Sequence, residues 1–296
     1  MSLDLYLTNK ADFIEKQLEK ALPANDIYPS IIHEAMRYSV LGGGKRLRAI
    51  LALAACEVFS GSFEQAIGFA CALEMIHAYT LVHDDLPCMD DDDYRRGKLT
   101  THKVFGEGIA VLAGDALLTL AFEELAKMPE KYQVSTEVTI QLIKEVSEAI
   151  GSQGVIGGQV VDLDSEGKSI DSNVLEYIHH HKTGKLFIAS LKGGALIGGA
   201  NEEQLKAVVD FGTYFGLAFQ ITDDVLDLTG DATRLGKPVG SDTEQGKNTY
   251  PSIFGLENAQ EMAKECILNC HQAVTSLPKT ASILGDIADF ILNRDH

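Results

Sequence analysis

The chain has 296 residues, 45% of them apolar, which is enough for a substantial core. Its 25 basic and 43 acidic residues leave a net charge of −18, which opposes binding to nucleic acid or anionic membranes, so an anionic ligand needs local cations. Cysteines 56, 71, 88, 266 and 270 form neither a CxxC pair nor an even framework, which excludes a disulfide-built scaffold and points to a reducing compartment.

Apolar residues recur every three to four positions over 11–22, 31–41, 49–59, 64–83, 109–126, 134–151, 174–194, 202–228 and 256–270, so helices are expected there. Strand signals are nearly absent. Asn201 with Gln204 and Ser241 with Glu244 resemble capping boxes, and Gly198-Gly199 ends the preceding helix. Segment 151–162 is too glycine-rich for a comfortable helix, each interior glycine costing about 1 kcal/mol against alanine. Close helix packing or backbone approach to a ligand explains it equally well, and Gln159 and Asp162 are secondary site candidates. No Pro/Gly/Ser-rich linker divides the chain, so one all-α domain over 1–296 is expected. The first ten residues lack the pattern of a leader, and no apolar stretch reads as membrane-spanning, so the expectation is a cytoplasmic protein without a membrane anchor.

The chemistry sits in several places along the chain. Gly42-Gly43-Gly44-Lys45-Arg46-Leu47-Arg48 puts three cations after a flexible turn at a helix start, a plausible diphosphate cradle. His77 precedes Asp84 by seven positions on one helical face. The run Asp84-Asp85-Leu86-Pro87-Cys88-Met89-Asp90-Asp91-Asp92-Asp93-Tyr94-Arg95-Arg96 joins carboxylates to a forked arginine pair, which reads as hard divalent metal plus polyphosphate. Asp84 and Asp90 lie about 120° out of phase on an ideal helix, so only an irregular turn lets both face one site. Downstream, Lys182-Thr183 offers a cation and a hydroxyl, and Gln220, Asp223 or Asp224, and Asp227 form one polar stripe in an apolar helix. Lys237 and Lys247 sit in turn-like sequence beyond it. The His179-His180-His181 run does not read as a metal site, because consecutive residues point around a helix in different directions. Cys266-x3-Cys270-His271 reads as helical core rather than zinc.

Taken together, Gly43-Gly44-Lys45-Arg46-Leu47-Arg48, Asp84-Asp85-x4-Asp90 with Arg95-Arg96-Gly97, Gly158-Gln159, Lys182-Thr183 and Gln220-x2-Asp223-Asp224-x2-Asp227 resemble the trans-prenyl diphosphate synthases, closest to the bacterial-type farnesyl diphosphate synthases. The likeness extends to Gly246-Lys247-Asn248-Thr249-Tyr250-Pro251 and the terminal Asn293-Arg294-Asp295-His296. One departure is Ala49, where the family usually has proline; alanine should affect stability more than chemistry.

The resemblance implies a single-domain antiparallel helix bundle of the isoprenoid-synthase type around a deep central cavity, assembled as a homodimer. It implies Asp84, Asp90, Asp223 and Asp227 as ligands of three Mg2+, with Mn2+ as a substitute. Arg95, Lys182, Thr183, Gln220, Lys237 and Lys247 would bind the allylic diphosphate. Gly44, Lys45, Arg48, His77 and Arg96 would bind isopentenyl diphosphate. Lys182, Thr183 and Gln220 take catalytic roles, the oxygens of Thr183 and Gln220 facing an allylic carbocation, and Phe219 is placed to touch the growing chain. Residues five and four before the first aspartate, here Tyr79 and Thr80, help set product length in this family, and the bulky Tyr79 implies C15 farnesyl diphosphate. The alternatives are a C20 geranylgeranyl diphosphate synthase, a terpene cyclase, which needs no second diphosphate site, and a non-catalytic regulatory subunit, which should show eroded acidic motifs. A Ca2+-binding protein is disfavoured because no EF-hand spacing occurs.

Overall fold

Three-to-four-residue apolar spacing becomes helix almost everywhere in the computed structural model, which describes residues 2–59, 61–229 and 248–293. In chain order the helices are α1 (Leu3–Ala21), α2 (Ser30–Val40), α3 (Leu47–Val58), α4 (Ile67–Asp84), α5 (Thr101–Phe105), α6 (Glu107–Ala126), α7 (Met128–Tyr132), α8 (Thr136–Ile150), α9 (Val155–Ser165), α10 (Ser172–Ile178), α11 (Lys185–Ile197), α12 (Glu202–Thr229), α13 (Tyr250–Phe254), α14 (Leu256–Val274) and α15 (Ser282–Asn293). Among the described residues the strands are Tyr94–Arg95 and Lys98–Leu99, an antiparallel pair closed by Arg96-Gly97. The class is all-α, as expected. By contact the chain falls into two compact units: Met1–Leu53 with Ser62–Ile143, and Ala54–Gly61 with Lys144–His296.

The first unit is built on α4, which is apolar all round and therefore buried all round, from Gly68 to Val82. Contrary to the sequence expectation, Phe63–Asp84 is long and apolar enough to cross a membrane by length and composition, but 72% of its apolar window is buried, which is the behaviour of a core helix. At its end His83 lies against Gly114 of α6, where an added methyl would overlap the imidazole, and a ring nitrogen of His83 meets the Val111 carbonyl oxygen at 3.0 Å.

Arg46 ties the turn before α3 to this core. It is only 5% exposed and carries a φ of +53°, so its side chain turns inward. There it donates to Glu15 at 2.9 and 2.6 Å and to Glu74 at 3.2 Å. The other Glu74 oxygen accepts the Ala49 backbone N–H at 3.3 Å, within the first turn of α3. Proline at position 49 would lack that donor, so the one departure from the family pattern has a compensating contact here.

In the second unit the expected helix 174–194 is interrupted by a π-helical turn, His179–Gly184, between α10 and α11. Two glycines accommodate it. A methyl on Gly158 of α9 would overlap the Lys182 backbone nitrogen, and a Cβ on Gly216 of α12 would lie 2.8 Å from the Gly184 Cα. The glycine-rich segment thus does form a helix, α9, and Gly158 serves close backbone packing. The Asn201–Gln204 capping box is present in both directions at 2.9 Å; Ser241 and Glu244 lie outside the described residues.

Glu74→Gln leaves the buried Arg46 guanidinium with only the half-exposed Glu15 as a charge partner. We expect a loss of about 3 kcal/mol, read from urea unfolding; an unchanged midpoint would show that Glu15 alone suffices.

Candidate active site

Four arginines of the first unit, Arg48, Arg96, Arg95 and Arg46, act on the His77 imidazole. With Arg46 drawn inward, Lys45 is left exposed and Arg48 half-buried on either side of it. Gly44 adopts a φ of +129°, and the Arg96 guanidinium lies where its Cβ would be, about 2.7 Å away. Arg96 also donates to the Gly43 carbonyl. No residue with a side chain could occupy position 44 without displacing Arg96. Burial, then Arg48, Arg96, Arg95 and Arg46, hold the His77 imidazole well below its ordinary pKa. His77 is therefore neutral at pH 7, and offers a hydrogen bond rather than a charge to an anion.

The irregular turn expected between Asp84 and Asp90 is present. After α4 the chain turns back through Leu86 N–H to His83 at 3.2 Å and Met89 N–H to Leu86 at 2.8 Å, until Asp90 N–H meets the Asp84 carbonyl at 2.8 Å. Asp91 completes the turn at a φ of +52°. Among the described residues four non-glycines have positive φ, and three of them, Arg46, Asp91 and Arg96, lie in these two loops; such strain collects at functional sites.

Arg95 does not extend freely. Its Nε and Nη2 reach one oxygen of Asp85 at 2.7 and 2.6 Å, with Asp92 at 3.5 Å. Burial pushes the Asp85 carboxyl up against the pull of Arg95. Asp85 was not among the candidate residues, since nothing in an Asp-Asp pair says which member turns inward. A second grouping was also missed: single ligand atoms of Asp91, Asp93 and the buried His102 lie within 4.8 Å of one another. Lys103 already neutralises Asp93 at 2.7 Å.

The residues expected to govern chain length lie on α4. Tyr79 is 6% exposed, its ring is edge-on to His83 at 5.8 Å, and its hydroxyl is buried without a hydrogen-bond partner among the described residues. Burial, and less so Asp84, pushes its pKa up to about 12. Thr80 is turned back to the His77 carbonyl at 2.8 Å.

The second unit groups the other candidates. Lys182 pairs with Asp162 at 2.6 Å, which gives that secondary candidate a defined contact. Thr183 donates to Gln220 at 3.0 Å, and Gln220 donates to Asp224 at 2.9 Å. Asp223 is half-buried and Asp227 is 2% exposed. Gln159 is buried with neither amide atom partnered among the described residues. Phe219 packs on Phe187 at 5.0 Å. Lys237, Lys247 and the terminal Arg294, Asp295 and His296 lie outside the described residues.

The histidine run diverges as expected. His179 is buried near Tyr250, while His181 stacks on Tyr177 at 3.8 Å. Cys266 and Cys270 are buried free thiols, and burial raises the Cys266 pKa to about 11, as expected of core cysteines.

The sequence profile of the family described as Polyprenyl synthetase matches residues 29–284. The chloroplastic geranylgeranyl pyrophosphate synthase of Catharanthus roseus is 45% identical over 293 residues, covering 98% of this chain and 81% of its own length. The geranylgeranyl diphosphate synthase of Cyanophora paradoxa is 43% identical over 292 residues, covering 98% and 96%. An FPP/GFPP synthase from Zymomonas mobilis superposes with a TM-score of 0.87 at 35% identity, over 98% of both chains. These matches and the all-helical fold define the class as prenyltransferase. The chain belongs to the polyprenyl synthetase family, among the trans-prenyl diphosphate synthases.

Burial lowers the His179 pKa to about 4 from an ordinary 6.5, with Asp162 opposing and Lys182 adding to the shift. The unfolded chain therefore takes up this proton first on acidification, and stability present above pH 6.5 is lost as the pH falls toward 4. His77 and His180 are shifted in the same direction. Urea midpoints measured between pH 7 and 4.5 should fall, and should fall less in His179→Gln; equal slopes would contradict a buried neutral His179.

Proposed function

We propose that this enzyme condenses isopentenyl diphosphate head to tail with dimethylallyl and then geranyl diphosphate, by ionisation, condensation and elimination, giving C15 farnesyl diphosphate. The observation that supports the reaction is the loop closure between Asp84 and Asp90, which brings acidic side chains around Arg95 while Arg96 meets the basic turn at Gly43. That donor set fits Mg2+. In this reading Asp84, Asp90, Asp223 and Asp227 are the metal ligands for three ions. Bound Mg2+ supplies positive charge to the departing diphosphate.

The protein's own groups do the rest. Arg95 and Lys182, with Lys237 and Lys247, hold the allylic diphosphate. Both described members have carboxylate partners, Asp85 and Asp162, which hold each cation in place near the site. Lys45, Arg48, Arg96 and neutral His77 hold isopentenyl diphosphate at the Gly44 turn. Oxygens of Thr183 and Gln220 face the carbocation, and the released diphosphate takes the proton. The same proposal includes action of residues 1–296 as one domain, a homodimer by family likeness, and a cytoplasmic location by the free cysteines. Two intact acidic motifs speak against a non-catalytic subunit, and the separate basic turn speaks against a cyclase.

Product length has two readings. C20 geranylgeranyl diphosphate is favoured by the names of both curated relatives. C15 is favoured by a feature of this chain, the bulky Tyr79, packed into α4 five residues before Asp84. In this reading the Tyr79 ring would close the pocket, and a close-packed wall does not admit another five-carbon unit without rearrangement.

Two measurements test the proposal. Incubation with Mg2+, isopentenyl diphosphate and each allylic diphosphate, with products separated by length, should give mainly C15, and Tyr79→Ser should shift it toward C20. C20 from the unsubstituted enzyme would establish the second reading, and no transfer at all would leave the regulatory subunit. Separately, Arg48→Ala should raise the KM for isopentenyl diphosphate on the order of tenfold, the equivalent of ~1.4 kcal/mol, while leaving the allylic KM nearly unchanged; equal increases would contradict separate diphosphate sites.

A further inference from the structure

A continuous chain of hydrogen bonds runs through the second unit beneath Thr183. The Tyr250 backbone N–H, at the start of α13, donates to Asp224 Oδ2 at 2.9 Å. Gln220 Nε2 donates to Asp224 Oδ1 at 2.9 Å, and Thr183 Oγ1 donates to Gln220 Oε1 at 3.0 Å. Its direction follows from chemistry. A carboxylate only accepts, so the end of Gln220 facing Asp224 is its NH2, and its carbonyl then faces Thr183. Thr183 has one hydrogen, which goes to Gln220. Among the described residues both lone pairs of its oxygen are left for the pocket that Thr183, Gln220 and Asp224 line together with Lys182, His179 and Asp162.

Asp224 is well placed to hold this direction. It is 3% exposed and sits one turn after Gln220 on α12. Its Oδ2 also lies 4.0 Å from Nε2 of His179, whose ring packs on Tyr250 with centroids 5.2 Å apart. Its neighbour Asp223 is less buried, which divides the Asp-Asp pair by role.

Resting on the reaction proposed above, we propose that Asp224 is a positioning residue that fixes the polarity of the Gln220–Thr183 pair, so that oxygen lone pairs, and no hydroxyl hydrogen, face the developing allylic cation. In a water-poor pocket a correctly aimed dipole stabilises the transition state without reorganising, and a reversed one opposes it. Asp224 acts on the reacting carbon only through Gln220 and Thr183.

Asp224→Asn keeps the shape and removes the acceptor-only constraint. The Tyr250 N–H belongs to the backbone and cannot reverse, so the amide oxygen takes it and the new NH2 faces Gln220. Gln220 must then turn over and donate to Thr183, whose hydrogen is driven toward the pocket. With dimethylallyl and isopentenyl diphosphate, kcat is expected to fall on the order of a hundredfold, the scale of losing one oriented dipole, while either KM moves less than about threefold. Thr183→Val should then cost less than about threefold more in the Asp224→Asn background, though it is severe alone. Near-normal kcat in Asp224→Asn, a loss confined to KM, or independent losses in the double variant would each overturn the proposal. Gln220→Leu cuts the chain without touching the Asp224–Tyr250 bond and serves if Asp224→Asn does not fold: a full further loss from Thr183→Val in that background also overturns it. Absence of transfer by the unsubstituted enzyme overturns the reaction reading and this proposal together, whereas transfer with an unaffected Asp224→Asn overturns this proposal alone.

Discussion

A carboxylate drawn wholly or partly out of water has to be met by a donor, and four such pairings organise the candidate site residues of this protein. Glu74 meets Arg46, Asp85 meets Arg95, Asp162 meets Lys182, and Asp224 meets Gln220 and the Tyr250 N–H. Each pairing fixes a direction as well as a contact. Arg46 turned inward sends its neighbours Lys45 and Arg48 elsewhere; Arg95 held by Asp85 stays beside the acidic loop. In a chain with a net charge of −18, Arg46, Arg95 and Lys182 are thus each stationed by a specific acid rather than left to roam a negative surface.

Glycine supplies the complementary device. The π-helical turn that carries Lys182 and Thr183 has an extra residue to accommodate, and it is flanked by Gly158 and Gly216, which let backbone approach backbone. A π-turn shifts the helical phase of everything after it, so Thr183 meets Gln220 in a register that a regular helix from 174 to 194 would not provide. At Gly44 the same lack of a side chain admits the Arg96 guanidinium.

Much of this was legible from residue order alone, and the exceptions have physical reasons. Long apolar-periodic segments became helices, with most ends within about four residues of those expected, although α1 begins at Leu3, well before position 11; the need for an irregular turn after Asp84 followed from helical phase. What periodicity does not encode is which of two adjacent aspartates points inward: Asp85 was not among the candidates, and Asp223 and Asp224 stood as alternatives on one stripe, because direction depends on partners outside the pair, Arg95 for Asp85 and the Tyr250 N–H for Asp224. The π-turn was missed because its residues have ordinary helical propensity. Segment 151–162 was judged unfavourable for helix by intrinsic propensity, which tertiary packing against Lys182 overrode. The helix Ser282–Asn293 escaped notice although its amphipathic spacing is regular, and His102 offered no signal at all.

The contact of Tyr79 with His83, and of His83 with Gly114, has a consequence for how such enzymes diversify. The residue implied in chain length is not a free-standing gate but the first member of a stack that joins α4 to α6. Sequence change that opens room at Tyr79 also removes support from the imidazole that seats the two helices together. Sequence drift at Tyr79 would therefore meet a stability threshold early, and compensating changes would be expected to accumulate around positions 83 and 114 rather than at the acidic motifs.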